Sequence, residues 1–249
     1  MTPVDPYFDD SALRDDLKSK TVGGGMATGI AQGITLGVQL GAVAILARLL
    51  EPADFGLVAM VAVVTGFAGM FVDAGLSMAT VQRDKLNRQQ VSNLFWLASL
   101  LGTAIALIVA ALAPLIAWFY DEPRLFAIVL AMTPSFVFAG LTVQHQALLR
   151  RAMQFKRLAV VQVASVLIAN LLAIACAAYY RNYWALVVLP IANALVRMVG
   201  TWLICNWMPG WPRRGSGVRS MVAFGMDLTG FNILNYLARN ADKLLIGWY

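Results

Sequence analysis

The chain has 249 residues, of which 60% are hydrophobic and 13% are charged, and its formal net charge is +6. This composition excludes an ordinary soluble domain, in which about a quarter of the residues are charged. The cations are spread over several short segments, so they favour membrane topology over nucleic-acid binding.

Six apolar stretches are each long enough for a helix to cross a bilayer. They cover residues 22–47, 56–82, 91–119, 125–149, 158–180 and 183–206, and a seventh, more polar stretch begins near residue 218. None shows the alternation of a membrane β-strand, and an apolar run of this length satisfies its backbone in hydrocarbon as a helix. The sequence therefore predicts an all-α polytopic membrane protein, with a six-helix N-terminal lobe and the first helix of a second lobe.

Lys and Arg residues are concentrated in every second gap between the apolar stretches. Thirteen of the nineteen lie in the amino-terminal tail or in the gaps after the second, fourth and sixth stretches, while the other three gaps carry one each. Because positive charge is retained on the cytoplasmic side during insertion, this bias predicts that the amino terminus and the even-numbered gaps are cytoplasmic. The remaining three cations lie within stretches and are Arg197, Arg239 and Lys243.

The chain divides by composition into four parts. We expect residues 1–20 to be a cytosolic tail, 21–206 a six-span transmembrane N-lobe, 207–219 a flexible cytoplasmic linker rich in Pro and Gly, and 220–249 the start of a C-lobe. Six spans return the chain to the cytoplasm, so a second six-span lobe would have the same orientation as the first. The sequence is interpreted as the first part of a longer, two-lobe protein; a complete six- or seven-span protein is the alternative.

The first apolar stretch carries two regular patterns of side chains. Its glycines recur at every fourth position, which predicts a close helix crossing or, alternatively, a hinge. Its polar residues also return to one face of the helix, which predicts that this face lies on a water-filled cavity or a polar seam. The glycines are Gly25, Gly29, Gly33, Gly37 and Gly41, and the polar residues are Thr28, Gln32, Thr35 and Gln39.

Two charges of opposite sign lie deep in the predicted bundle, because Asp73 and Arg197 are at similar depths in the second and sixth stretches. A charge at that depth is costly unless it is paired or hydrated. Three interpretations remain open: an ion pair between the two residues, an Arg197 that lines a hydrated cavity, or an Arg197 whose long side chain reaches the membrane surface.

The seventh stretch is unusually polar for a membrane span. Asn235, Arg239 and Asp242 fall on one helix face, where the Arg and Asp either neutralise each other or, beside water, bind a ligand. Arg is the side chain best suited to bidentate recognition of phosphate. The candidate substrate-binding residues are thus Arg197, Arg239, Gln32, Gln39, Asn235, Asp73, Asp242 and Lys243.

The sequence contains no pattern that predicts catalysis or a resident cofactor. A nucleotide-binding P-loop, a zinc-ligand spacing and a Ser/His/Asp set are all missing, so we expect no enzyme activity, metal or cofactor. The single histidine, His145, is interpreted as an interfacial packing residue, with a proton relay as the alternative.

Three segments resemble the polysaccharide transporter family of the multidrug/oligosaccharidyl-lipid/polysaccharide exporter superfamily, the Wzx-type flippases. They are LARLLEPADFGLVAM (46–60), VDAGLSMATVQ (72–82) and ARNADKLLIGWY (238–249). The first contains an R-x-L-x-P-x-D-F-G block that is fairly specific for the family. Within the family, the sequence resembles the colanic acid exporter subgroup.

The resemblance implies a fold of two six-helix lobes and a function in export. The substrate would be an undecaprenyl-pyrophosphate-linked oligosaccharide, flipped across the bacterial inner membrane by alternating access. The implied partners are this lipid-linked oligosaccharide, membrane lipids and other polysaccharide assembly proteins, and no nucleic acid. A multidrug-type secondary exporter and a membrane enzyme of polysaccharide biosynthesis are the alternative functions.

Overall fold

The computed structural model describes residues 17–73, 75–83, 86–213, 221–223, 225–226 and 230. Within this part of the chain, six helical segments are long and apolar enough to cross a membrane. They are Gly23–Leu49, Pro52–Gln82, Arg88–Phe119, Arg124–Arg151, Phe155–Tyr180 and Trp184–Ile204, and we number them spans 1 to 6. The all-α membrane fold is thus confirmed, and most of the predicted seventh span falls outside the described residues.

Eight helices build the six spans, because spans 2 and 4 each contain two helices. The bounds are α1 (Leu17–Leu49), α2 (Pro52–Asp73), α3 (Leu76–Gln82), α4 (Arg88–Phe119), α5 (Arg124–Met132), α6 (Pro134–Arg151), α7 (Phe155–Tyr180) and α8 (Trp184–Ile204). The sequence had predicted six continuous helices and did not anticipate either break.

Span 2 breaks between Asp73 and Leu76, at a glycine. Gly75 has a φ of 67°, the left-handed conformation that glycine adopts without steric cost. The Asp73 carboxylate then accepts hydrogen bonds from the backbone N–H of Ser77, at 2.8 Å, and from the Ser77 hydroxyl. Asp73 therefore satisfies a backbone donor that the start of α3 would otherwise leave unpaired.

Span 4 breaks at Thr133–Pro134. Pro134 has no backbone N–H and cannot continue the hydrogen bonding of α5, but it fits the first turn of α6. The Thr133 hydroxyl donates to the carbonyl of Leu130 at 2.8 Å, which satisfies an acceptor at the end of α5.

The first two spans are joined by a short turn that contains the family-like block. Pro52 is the first residue of α2, where its fixed φ suits a helix start. The Asp54 carboxylate accepts from the backbone N–H of Glu51 at 3.2 Å, which fixes the turn. At the same end of the bundle, Glu122 accepts two hydrogen bonds from the Arg124 guanidinium, and this lowers the pKa of Glu122 to about 2.

Spans 3 and 4 cross at a pair of glycines. A Cβ atom on Gly102 would lie 2.6 Å from the carbonyl oxygen of Phe136, and one on Gly140 would lie 2.6 Å from the carbonyl oxygen of Ala98. Only glycine permits this approach of the two backbones, so the crossing of spans 3 and 4 rests on one glycine from each helix.

Span 1 lies at the rim of the bundle and packs chiefly on span 5. It uses Ala31, Ala42 and Leu46, all of which are buried. The predicted glycine crossing is not found in the described part of the chain, because a Cβ atom on any glycine of that row, Gly25, Gly29, Gly33, Gly37 or Gly41, would meet nothing within 4 Å. The glycine row lies on the open side of the helix.

Candidate polar cavity between the spans

A cavity of about 410 Å³ lies between spans 2, 4 and 6, and we call it the central cavity. Its lining combines charged groups, amides and hydroxyls with small apolar residues. The polar lining residues are Asp73, Ser77, Thr142, Gln146, Arg150, Asn193 and Arg197.

A second cavity of about 240 Å³ lies between spans 1, 4, 5 and 6, and we call it the basal cavity. Its polar lining residues are Thr28, Gln146, Arg150, Gln162, Arg197 and Thr201. Gln146, Arg150 and Arg197 line both cavities, so the two spaces meet at a pair of arginines.

The two arginines bring positive charge to the place where the cavities meet. Arg150 and Arg197 are close enough for their charges to repel each other. Neither forms an ion pair with a carboxylate in the described part of the chain. The ion pair that this part does contain joins Arg124 to Glu122. A cavity with two unpaired guanidinium groups is electrostatically suited to an anion.

Asp73 lies on the central cavity with Arg197 but does not pair with it. The Asp73 carboxylate is engaged by Ser77, whose backbone N–H and hydroxyl both donate to it. Of the three interpretations of Arg197, the geometry corresponds to an arginine that lines a polar cavity.

Neutral hydrogen-bonding groups continue on both sides of the arginines. The Gln162 amide donates to the Gln32 side-chain oxygen at 3.1 Å, which links span 5 to span 1 beside the basal cavity. The Arg150 guanidinium lies 3.4 Å from the Gln146 side-chain oxygen, one helical turn away. Asn193 occupies the same position relative to Arg197 on α8, so each arginine has an amide one turn before it.

The structure brings together only some of the predicted site residues. Asp73 and Arg197 share the central cavity, and Gln32 contacts Gln162 of the basal cavity. Gln39 is exposed and lines neither cavity. The other predicted residues, Asn235, Arg239, Asp242 and Lys243, lie outside the described residues.

The sequence analysis missed several polar cavity residues, and the most informative are Gln146, Arg150 and Asn193. A signal was present, because Gln146–Arg150 and Asn193–Arg197 are both amide–arginine pairs at a spacing of four, which places each pair on one helix face. Arg150 was instead assigned to the cytoplasmic charge cluster, because it lies at the end of its span.

Arg151, the neighbour of Arg150, has a different role. Its guanidinium is buried and donates to the backbone carbonyls of Thr80, Val81 and Arg83. These carbonyls belong to the end of α3, where the helix has no internal partners for them. Arg151 therefore fixes the end of span 2 rather than facing the cavities.

His145 is also buried away from both cavities. Its ring stacks on Trp202, with ring centres 4.5 Å apart, and meets Phe95 and Trp207 edge to face. This environment is that of a packing residue inside an aromatic cluster, at the end of the bundle that carries Arg150.

The fold and the cavities define a class, a multi-pass helical membrane protein with a cationic polar cavity inside its bundle. The chain belongs to a family whose members are described as polysaccharide biosynthesis proteins, and the family pattern matches residues 45–249.

The chain is similar to curated proteins of polysaccharide biosynthesis and transport. It is 25% identical to the lipopolysaccharide biosynthesis protein WzxC of Escherichia coli strain K12, an alignment that covers 92% of this chain and 47% of the relative. It is 27% identical to the succinoglycan biosynthesis transport protein ExoT of Rhizobium meliloti strain 1021, with 83% of this chain and 42% of the relative covered. For the teichuronic acid biosynthesis protein TuaB of Bacillus subtilis strain 168 the identity is 27%, and the coverage is 74% and 38%.

The chain thus spans about half the length of the curated relatives it matches. No solved structure matches it.

Proposed function

We propose that this bundle is one lobe of an exporter that moves a pyrophosphate-linked, lipid-anchored oligosaccharide across the membrane by alternating access. The pyrophosphate would bind between Arg150 and Arg197. The sugar hydroxyls would bind the amides and hydroxyls on either side, while the lipid tail stays in the bilayer.

One observation carries this proposal: Arg150 and Arg197 both line the place where two polar cavities meet, and neither forms an ion pair within the part of the chain that the structure describes. A guanidinium group has a fixed charge and a fork of donors that matches two phosphate oxygens. The amides beside the arginines can both donate and accept hydrogen bonds, as sugar hydroxyls require. The name of one relative, a succinoglycan biosynthesis transport protein, supports a role in transport for polysaccharide biosynthesis.

The proposed division of the chain keeps residues 21–206 as a lobe, 207–219 as a link and 220–249 as the start of a second lobe. Arg239 would then face the first lobe and complete the phosphate site from the other side. The proposed location is the bacterial inner membrane with the amino terminus in the cytoplasm, as the distribution of Lys and Arg indicates.

A multidrug-type exporter is the second candidate, because Asp73 places a carboxylate on the central cavity. A cationic drug would need that carboxylate. The bond from Ser77 already occupies it, and the two arginines oppose a cation. A membrane enzyme of polysaccharide biosynthesis is less well supported, since no catalytic set was identified.

The test is binding of undecaprenyl pyrophosphate to the purified chain in lipid nanodiscs. We expect Arg150→Ala and Arg197→Ala each to weaken binding about tenfold or more, since a hydrogen bond to a charged group contributes roughly 1.5–3 kcal/mol. The Lys variants should retain part of the affinity, because Lys keeps the charge but loses the fork.

The matched control is Arg157→Ala, which removes an exposed arginine whose side chain contacts Gln154. Unchanged affinity in both cavity variants would contradict the proposal. Binding of tetraphenylphosphonium that is lost in Asp73→Ala would favour the multidrug alternative.

A further inference from the structure

The segment after span 6 is fastened along span 3, and we call residues 207–213 the strap. The sequence predicts a flexible linker here because of Pro209, Gly210 and Pro212. The strap is indeed not helical, but its backbone groups bond to side chains of α4.

The bonds to the strap come from one face of α4. The Gly210 N–H donates to the Ser92 hydroxyl at 3.0 Å, and the Trp96 indole donates to the Gly210 carbonyl at 2.9 Å. The Asn93 amide donates to the Arg213 carbonyl at 2.6 Å and accepts from the Arg213 N–H at 3.0 Å. An irregular segment whose backbone is satisfied in this way is fixed in position.

Aromatic side chains anchor both ends of the strap. Trp207 is 1% exposed and packs among Val91, Phe95 and Leu148. At the other end the Trp211 ring stacks on Trp96, with ring centres 6.1 Å apart and planes at 13°.

The chain returns to the bundle at the break in span 2. Met221 is buried against Leu76 and Leu94. A few residues later, the backbone of Gly225 lies so close to Gly75 that a Cβ atom on Gly75 would be 2.9 Å from the Gly225 Cα. Gly75 is two residues from Asp73, whose carboxylate lines the central cavity.

We propose that the strap is a fixed tether, not a hinge, and that the Gly75–Gly225 crossing is the joint that couples the central cavity to the chain beyond residue 226. Because the strap is itself held on span 3, a shift of the chain after Gly225 acts on the break in span 2. That break sets where Asp73 and Ser77 lie, so Gly75 and the strap are positioning residues for the cavity.

Disulfide cross-linking tests whether the strap is fixed. In a Cys176→Ala/Cys205→Ala background, the pair Ser92→Cys/Gly210→Cys should form a disulfide in high yield on mild oxidation of intact membranes, because a Cβ atom on Gly210 would lie 3.6 Å from the Ser92 hydroxyl. The control pair Leu112→Cys/Gly210→Cys should not, since Leu112 is about 30 Å further along α4. A low yield for the first pair would show that the strap is mobile and would overturn the tether.

The second measurement asks whether the joint reaches the cavity. A single cysteine replaces Gly69, which lines the central cavity on α2, and its labelling rate by a water-soluble maleimide is followed in membranes without any ligand. We expect Asn93→Ala/Trp96→Ala, which loosens the strap by removing three of its hydrogen bonds and the stacking of Trp211, to change this rate about fivefold or more, the lower range for coupled sites. The Trp118→Ala variant removes an exposed ring at the opposite end of α4 and should not change it.

Coupling also predicts how the effects combine. Gly75→Ala should alter the labelling rate, while Gly66→Ala, where a Cβ atom meets nothing within 4 Å, should not. The effects of Gly75→Ala and of strap release should be non-additive if both act through one joint. An unchanged labelling rate in Asn93→Ala/Trp96→Ala, or strictly additive effects, would overturn the joint. If Asn93→Ala/Trp96→Ala fails to fold, the comparison of the labelling rates of Gly75→Ala and Gly66→Ala decides in its place.

Discussion

Arg150 and Arg151 are adjacent in sequence but have different roles. Arg150 faces two cavities, whereas the Arg151 guanidinium donates to backbone carbonyls at the end of α3. Successive side chains on a helix point about 100° apart. Arg150 therefore faces the cavities, while Arg151 faces the end of the neighbouring helix α3.

The pair gives a prediction about stability. Arg151→Ala should lower the free energy of unfolding by about 1–3 kcal/mol or more, because it leaves buried carbonyls without donors. Arg150→Ala should leave stability nearly unchanged, since that side chain is exposed. Thermal unfolding of the two variants in the same detergent checks this, and equal losses would contradict the assigned roles.

Asp73 gives a second prediction at the scale of the residue. Because its carboxylate holds Ser77 rather than Arg197, adding Asp73→Ala to Arg197→Ala should not restore the abundance of the protein. The double variant should be less stable than Arg197→Ala alone, since the backbone N–H of Ser77 in the first turn of α3 loses its acceptor. Immunoblots of membrane fractions measure this, with Asp73→Asn as the variant that keeps an acceptor; restored abundance would instead indicate an ion pair.

At the scale of the element, glycines have effects that depend on what faces them. Gly102→Leu should strongly destabilise the bundle, because even a Cβ atom there overlaps the backbone of span 4. Gly33→Leu should leave the folded bundle intact, since nothing in the described chain lies within 4 Å of that position.

The same comparison shows whether the glycine row of span 1 is an interface. Size-exclusion profiles and melting temperatures of the two variants report on the fold. If Gly33→Leu unfolds the chain as Gly102→Leu does, the placement of span 1 at the rim is wrong. Loss of export alone, at a normal melting temperature, would indicate that another part of the exporter packs on the glycine row.

At the scale of the whole molecule, the distribution of Lys and Arg predicts the orientation. In the Cys176→Ala/Cys205→Ala background, Pro123→Cys should react with a membrane-impermeant thiol reagent in intact spheroplasts, and Arg157→Cys should not. Both positions are exposed on the protein, so the difference reports the side of the membrane. The reverse pattern would place the amino terminus outside and would contradict the proposed orientation.

Much of the fold follows from the sequence because the length and apolarity of a span are local properties. Six stretches of sufficient length required six helices, and the structure contains them. The deep positions of Asp73 and Arg197 also followed from their distance to the span ends. The cost of charge in hydrocarbon then indicated a polar interior before any packing was known.

Only the tertiary structure decided which polar side chains meet. The rotation and neighbours of each helix bring Arg150 to Arg197, separate Arg197 from Asp73 and leave the glycine row of span 1 open. The crossing of spans 3 and 4 uses one glycine from each of two helices, a pattern with no repeat along either sequence. The backbone of Gly225 passes beside Gly75 at the break in span 2, and a contact between residues so far apart in sequence exists only once the bundle is assembled.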